Sequence, residues 1–221
     1  MFFEKLDIFN DNIAIHDVSS NISITYTQLE TLVCKRISEY GVSRKLVFIE
    51  ATNSLQTVVD YLACLRGKHV TYLLEDLNDE RTKALIKHYK PNLLISKNGQ
   101  LLQGSGSLLN LHVNLAILLS TSGSTGTPKF VKLSRNNIQS NTESICEYLE
   151  LSSSDCALAH LKLHYSYGLS VLNSHLQVGA AVILTASNIL DADCWEEVDR
   201  YRATSFAGVP YTFETLLHEN F

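Results

Sequence analysis

Apolar and polar positions along the chain fall into two alternating rhythms. Short runs rich in Val, Ile, Leu and Tyr, at residues 13–16, 22–26, 45–50, 70–74, 93–96 and 115–119, have the length and composition of strands. Between them lie longer segments with helical spacing. Leu55, Val58, Val59, Leu62 and Leu65 share one helix face, opened by Ser54 and closed at Gly67. Thr27-Gln-Leu-Glu30 reads as a capping box for a helix that ends at Gly41. A polar-faced helix over 79–89 stops ahead of Pro91, and a loop holding Gly99, Gly104 and Gly106 follows the strand at 93–96. Beyond 115–119 the strand resumes at Phe130 and runs over 130–133, and Ser134 caps a helix reaching about residue 150. Strand 157–161, helix 168–177, strand 181–185, helix 192–201, strand 204–207 and a helix from Pro210 complete the alternation. The pattern predicts an α/β fold: a layered, largely parallel β-sheet with flanking helices.

Composition narrows the function. With 221 residues, 45% hydrophobic and 19% charged, the chain can bury a substantial core as one large domain or two small ones. Eighteen Lys and Arg against 23 Asp and Glu give a net charge of −5, with no basic run, which disfavours a nucleic-acid partner. An anionic ligand must then be held by local groups. Cys34, Cys64, Cys146, Cys156 and Cys194 form no C-x-x-C pair and read as reduced thiols of a cytoplasmic protein. The N-terminus carries Glu4 and lacks the apolar run of a signal peptide. Nothing approaches the ~18 consecutive apolar residues of a membrane span.

One segment carries chemistry. Thr121, Ser122, Gly123, Ser124, Thr125, Gly126, Thr127 and Lys129 lie between two apolar strands. The glycines let the backbone approach a ligand, successive amides can form an anion-binding concavity, the hydroxyls add donors, and Lys129 adds a positive charge. Such a set suits a polyphosphate. The spacing G-x-x-G-x-x-K leading into a strand is not that of a Walker loop, which leads into a helix. A Ser/Thr/Gly-rich turn without a ligand is the plainer alternative.

Ser122-Gly-Ser-Thr-Gly-Thr-Pro-Lys129 resembles the phosphate loop of the adenylate-forming (AMP-binding) acid ligase superfamily: acyl-CoA synthetases, aryl acid ligases and peptide-synthetase adenylation domains. Ile24-Thr-Tyr-Thr-Gln-Leu29, Leu62-Ala-Cys-Leu-Arg-Gly67 with Val70-Thr-Tyr-Leu-Leu74, His164-Tyr-Ser-Tyr-Gly-Leu169 and Gly208-Val-Pro210 resemble further elements of that family, in the same order. The resemblance makes residues 1–221 the N-terminal portion of an AMP-binding domain. It implies ATP and Mg²⁺ as cofactors and a small carboxylic acid as substrate, activated as an acyl-adenylate, with CoA or a carrier protein as acceptor. It makes 121–127 and Lys129 the phosphate-binding residues, Thr125 and Lys129 foremost, and places the acid pocket at His164, Tyr165, Tyr167 and Gly168.

The chain also departs from the family. Phe130 stands where glycine is frequent, and Ser134 where histidine is frequent. The aromatic flanking the acid aligns with Tyr165 or, one residue earlier, with His164. No acidic residue in 165–168 would meet an amino group, which favours a simple acyl or aryl acid. The family's adenine and ribose elements and its catalytic lysine have no counterpart here. The chain therefore reads as a piece of a longer enzyme, inactive alone, with an uncovered apolar face that favours self-association. A split or degenerate member, acting as a non-catalytic nucleotide-binding or partner module, is the alternative. His160 and His164 stand four apart, but strand-then-loop placement and the lack of a third ligand argue against a metal site. Asp191, Asp193, Glu196, Glu197 and Asp199 read as a solvated helix face.

Overall fold

The structure is a computed structural model that describes residues 1–106, 110–120 and 130–218. After a 3-10 turn at Asp7–Phe9 come β1 (Ile13–Asp17), β2 (Ile22–Thr25), α1 (Tyr26–Tyr40), β3 (Leu46–Glu50), α2 (Leu55–Arg66), β4 (Val70–Leu74), α3 (Glu80–Tyr89), β5 (Leu93–Ile95) and β6 (Leu101–Gln103). The chain continues through β7 (Leu115–Ser120), β8 (Phe130–Ser134), α4 (Arg135–Tyr148), β9 (Cys156–Ala159), α5 (Ser166–Val178), β10 (Ala181–Leu184), α6 (Ala192–Tyr201), β11 (Ser205–Phe206) and α7 (Pro210–His218).

Among the described residues the strands build two sheets, ordered β11-β9-β10-β1-β2 and β6-β5-β3-β4-β7-β8. Both are mainly parallel inside and carry antiparallel pairs at β1–β2, β5–β6 and β7–β8. Alternation along each strand explains the layering. In β3, Val47 and Ile49 join one core while Leu46 and Phe48 join another. In β10, Val182 and Leu184 face the first core and Ile183 faces a third. Because side chains alternate across a sheet, each sheet is covered on both faces. The shared middle core draws on both sheets and on α1, α2, α4 and α5. Residues of α3 pack on the outer face of the six-stranded sheet, and residues of α6 and α7 on that of the five-stranded one.

Helix α2 shows what this middle position demands. The sequence marks one apolar face, yet every residue from Thr57 to Leu65 is buried. Leu62 and Leu65 are fully buried, each stabilising the fold by roughly 1.5–3 kcal/mol. Ser54 caps the helix by accepting from the Thr57 amide, as its position predicts.

Three expectations need correction. The α1 capping box is formed by Thr25 and Gln28, two residues ahead of the predicted pair. Thr27 instead donates to the Asn10 carbonyl, and Glu30 pairs with Arg66. The loop with Gly99 contains a strand, since β6 folds back on β5 through a turn in which the Gly99 amide donates to the Ser96 carbonyl. Of the acidic cluster, Glu197 is buried and accepts from the Ser187 hydroxyl, so only the remainder faces solvent.

Candidate functional site at the carboxyl ends of the two sheets

The two sheets are tied together where their parallel strands end. Asp17, the buried last residue of β1, accepts from the Leu55 amide in the first turn of α2 at 2.8 Å. Its other oxygen accepts from the Ser19 hydroxyl and the Ser20 amide. A carboxylate there meets unpaired helix N–H groups and the positive end of the helix dipole. Asn53, in the turn between β3 and α2, donates to the carbonyls of Ala159, Thr185 and Leu161 at 2.8, 3.0 and 3.2 Å. It also accepts from the Leu163 amide at 3.1 Å. A single side chain thus joins the end of β3 to the ends of β9 and β10 and to the segment that carries His164.

A cleft of about 420 Å³ opens at this junction, lined by Thr52, Asn53, Glu75, His160, Lys162, His164, Thr185 and Ser187 among others. In open α/β sheets the crevice outside the carboxyl ends of the strands is the usual place for ligands. Lys162 and Glu75 pair across the two sheets, each more than half exposed, so solvent screens the attraction. Lys162 holds the Glu75 carboxyl below the usual carboxylate range, and Glu75 in turn holds the Lys162 ammonium above its usual value. Burial holds both His160 and His164 below the ordinary histidine value. Their Nδ1 atoms are buried without a hydrogen-bond partner among the described residues. Two imidazoles held towards the neutral form therefore line the polar cleft. Among the described residues no group of three or more His, Cys, Asp or Glu side chains could hold a metal ion.

The acid-pocket candidates are distributed unevenly. His164 lines the cleft, its ring 4.3 Å from that of Tyr165. Tyr165 and Tyr167 are 57% and 44% exposed and do not line it. Helix α5 begins at Ser166, earlier than the sequence indicates, so Tyr167 and Gly168 sit in its first turn. Gly168 is buried, and a Cβ there would lie 2.5 Å from the Lys162 carbonyl oxygen and 2.8 Å from that of Leu161. Glycine lets α5 close on the segment behind His164. Large apolar side chains at Val209, Tyr211, Phe213 and Leu217 are also exposed.

The phosphate-loop candidates Thr121, Ser122, Gly123, Ser124, Thr125, Gly126, Thr127 and Lys129 lie outside the described residues; their flanks do not. Strands β7 and β8 pair antiparallel with Ser120 opposite Phe130, so these two residues stand at one point on the sheet. Because β7 is parallel to β4, that point is at the carboxyl ends of the strands, the same edge on which the cleft opens. Phe130 anchors the exit: its ring stands edge-on to Tyr72 and Tyr89, with centroids 4.8 and 5.1 Å apart.

A family model described as AMP-binding enzyme matches residues 110–221. The chain belongs to this family. The AMP-binding enzyme family therefore accounts for half of the sequence directly, and similarity to individual relatives extends further. The chain is 26% identical to oxalate–CoA ligase of Arabidopsis thaliana, over 90% of this chain and 48% of that protein. The chain spans about half the length of the curated relatives it matches. In fold it is similar to O-succinylbenzoate coenzyme A synthetase (MenE) of Bacillus subtilis in complex with AMP. The TM-score there is 0.81 at 19% identity, covering 99% of this chain and 50% of that one. The same enzyme in complex with ATP and magnesium ion gives 0.77 at 18% identity, covering 98% and 65%. At these identities the likeness shows a shared fold.

Asn53, Glu75 and Lys162 carry no motif in the sequence. An Asn one residue ahead of a Ser N-cap is ordinary turn chemistry. Its reach to three carbonyls in the other sheet depends on long-range pairing.

Proposed function

We propose that the protein to which this chain belongs activates a small carboxylic acid as an acyl-adenylate and passes it to CoA or a carrier protein. The observation that carries this reading is the common edge: Ser120 and Phe130, which flank 121–129 in the sequence, stand at the carboxyl ends of the strands, the edge on which the cleft with His164 opens. Membership of the AMP-binding enzyme family supports it. The substrate carboxylate would attack the α-phosphorus of ATP, forming a P–O bond while the bond to the β-phosphate breaks and pyrophosphate leaves. Attack of the acceptor thiol on the acyl carbon would then release AMP.

The chain's own part is to bind and orient. Amides and hydroxyls of 121–127, with Lys129, would hold the β- and γ-phosphates, where charge builds as pyrophosphate departs. The donor set fits a polyphosphate, since it offers hydrogen-bond donors and a cation with no carboxylate among them. Magnesium, as in the MenE complex with ATP, would supply positive charge to the phosphates that 121–127 and Lys129 hold. His164, with Tyr165 and Tyr167 beside it and Gly168 shaping the turn, would form the start of the acid site.

Exchange of labelled pyrophosphate into ATP, run on the whole protein with a panel of acyl and aryl acids, tests this function. Acid-dependent exchange is expected, and its loss in Lys129→Ala would tie it to the loop. No exchange with any acid would favour a non-catalytic nucleotide-binding module. The 221-residue polypeptide by itself is expected to bind pyrophosphate without exchanging it, since nothing in it matches the family's adenine, ribose and lysine elements.

A further inference from the structure

Lys162 reaches from one sheet to the other with its backbone held and its charge exposed. It follows the end of β9 closely, and three contacts fix the chain around it. The Tyr165 amide donates to the Lys162 carbonyl at 3.0 Å, Gly168 leaves room for that same carbonyl, and Asn53 accepts from the amide of the next residue, Leu163. The ammonium end, by contrast, stands on an exposed partner. It pairs with Glu75, the first residue after β4, and the two side chains are 58% and 59% exposed. The pair carries the Lys162 charge out of its own sheet to the carboxyl end of the other. There β4 runs beside β7, and the Tyr72 ring of β4 stands 4.8 Å from that of Phe130. Ser120 and Phe130, which flank 121–129 in the sequence, face each other at this same end.

We propose that Lys162 is a further cation for the polyphosphate, held on Glu75 in the free chain and taken over by the phosphates when they bind. The inference rests on the reading of 121–129 as the phosphate-binding segment and adds to it a residue from the other sheet. An ion pair this exposed contributes little, because solvent screens the attraction and ordering two long side chains costs entropy. It is therefore easily exchanged. Lysine binds phosphate as a point charge on a flexible four-carbon stem, so the head can move while the backbone stays in place. A ligand with several negative charges competes well for that head against a single exposed carboxylate. Glu75 marks how far the ammonium reaches, and it also opposes binding in two ways. It occupies the ammonium, and its own charge repels the incoming phosphates. Lys162 and Glu75 should thus act on phosphate affinity in opposite directions.

The test is calorimetric titration of the 221-residue chain with pyrophosphate, and it needs no catalysis. Lys162→Met is expected to weaken binding by roughly 3- to 10-fold, and Lys162→Arg to keep most of it. Glu75→Gln is expected to tighten binding by about 2- to 5-fold. The opposite signs separate a charge that meets phosphate from a tie between the sheets. If the pair served only as a tie, Lys162→Met and Glu75→Gln would act alike, since each breaks it. Both positions are exposed, so the variants should fold, and the far-ultraviolet spectrum checks this. Benzoate, titrated in parallel, separates phosphate from the carboxylate of an acid substrate: Lys162→Met should leave its affinity within about twofold. Lys129→Ala, run beside these, reports on the 121–129 reading separately. Weakening by Lys129→Ala with no effect of Lys162→Met would leave that reading standing and overturn this proposal. Weakening by Lys162→Met alone would keep Lys162 as a phosphate contact and remove the 121–129 reading. Changes of the same sign at Lys162 and Glu75, or a Lys162→Met variant that loses benzoate and keeps pyrophosphate, would each overturn the proposal as well.

Discussion

Asn53 Nδ2 lies 2.8 Å from the carbonyl oxygen of Ala159, so a turn residue of one sheet holds the last residue of a strand in the other. With Thr185, Leu161 and Leu163 also on its amide, Asn53 is the principal clasp of the cleft. Asn53→Ala leaves three carbonyls and one amide N–H without this partner. The expected loss is about 2–4 kcal/mol in urea unfolding, as buried groups go unpaired. The Leu163 amide should exchange with solvent much faster than in the wild type. A loss under about 1 kcal/mol with unchanged exchange would show that the two sheets are joined by other means.

Gly168 makes a similar case through space. Its missing Cβ is the gap into which the Lys162 carbonyl fits, at 2.5 Å from where that atom would lie. Gly168→Ala should therefore displace α5 or the 161–164 segment and cost roughly 1–3 kcal/mol, despite alanine's better helix propensity. Thermal unfolding checks the stability, and the imidazole resonances of His164 should shift. An alanine variant at least as stable as the parent would refute the close approach.

Acid sensitivity follows from His69. It is buried at the end of α2, where its Nδ1 accepts from the Lys45 amide. Burial first, and then the nearby charges of Lys45, Arg44 and Arg135, push its pKa down from 6.5 to about 4. The unfolded chain takes up this proton near pH 6.5 and the folded chain only near pH 4. Stability from this group is thus fully present above pH 6.5 and lost as the pH falls towards 4, by roughly 2–4 kcal/mol. His160, His164 and His175 are shifted in the same direction and add to the trend. Urea unfolding between pH 8 and pH 4 should show the fall. His69→Asn, whose side-chain oxygen can still accept from Lys45, should flatten it. An equal slope in that variant would remove His69 as the cause.

Local chemistry was legible in the sequence where the residues that decide it are adjacent. Ser54 and Ser134 cap helices where expected, and the strand runs at 70–74 and 115–119 are strands. The sequence does not single out the capping residue of α1, because Thr25 and Thr27 offer the same chemistry. The choice falls to Thr25 because β2 ends there, and Thr27 is drawn to the Asn10 carbonyl. Strand β6 leaves no mark in the sequence, since Leu101–Gln103 is too short to show a period and forms only by pairing with β5. That there are two sheets could not be read from alternation at all. β1 pairs with β10 across more than 160 residues, a contact that no local pattern encodes. The same holds for the cleft: His164 sits in a motif, but Asn53, Glu75 and Lys162 become a site only through the long-range fold.

The role proposed for residues 121–129 is tested most directly by calorimetric titration of the 221-residue chain with pyrophosphate, wild type beside Lys129→Ala. Weak binding, in the millimolar range, is expected of the wild type. Loss of one charge-assisted contact, about 1.5–3 kcal/mol, should weaken it by roughly 10- to 100-fold in the variant. Equal affinity in the two proteins would place the phosphate site elsewhere and contradict the assignment.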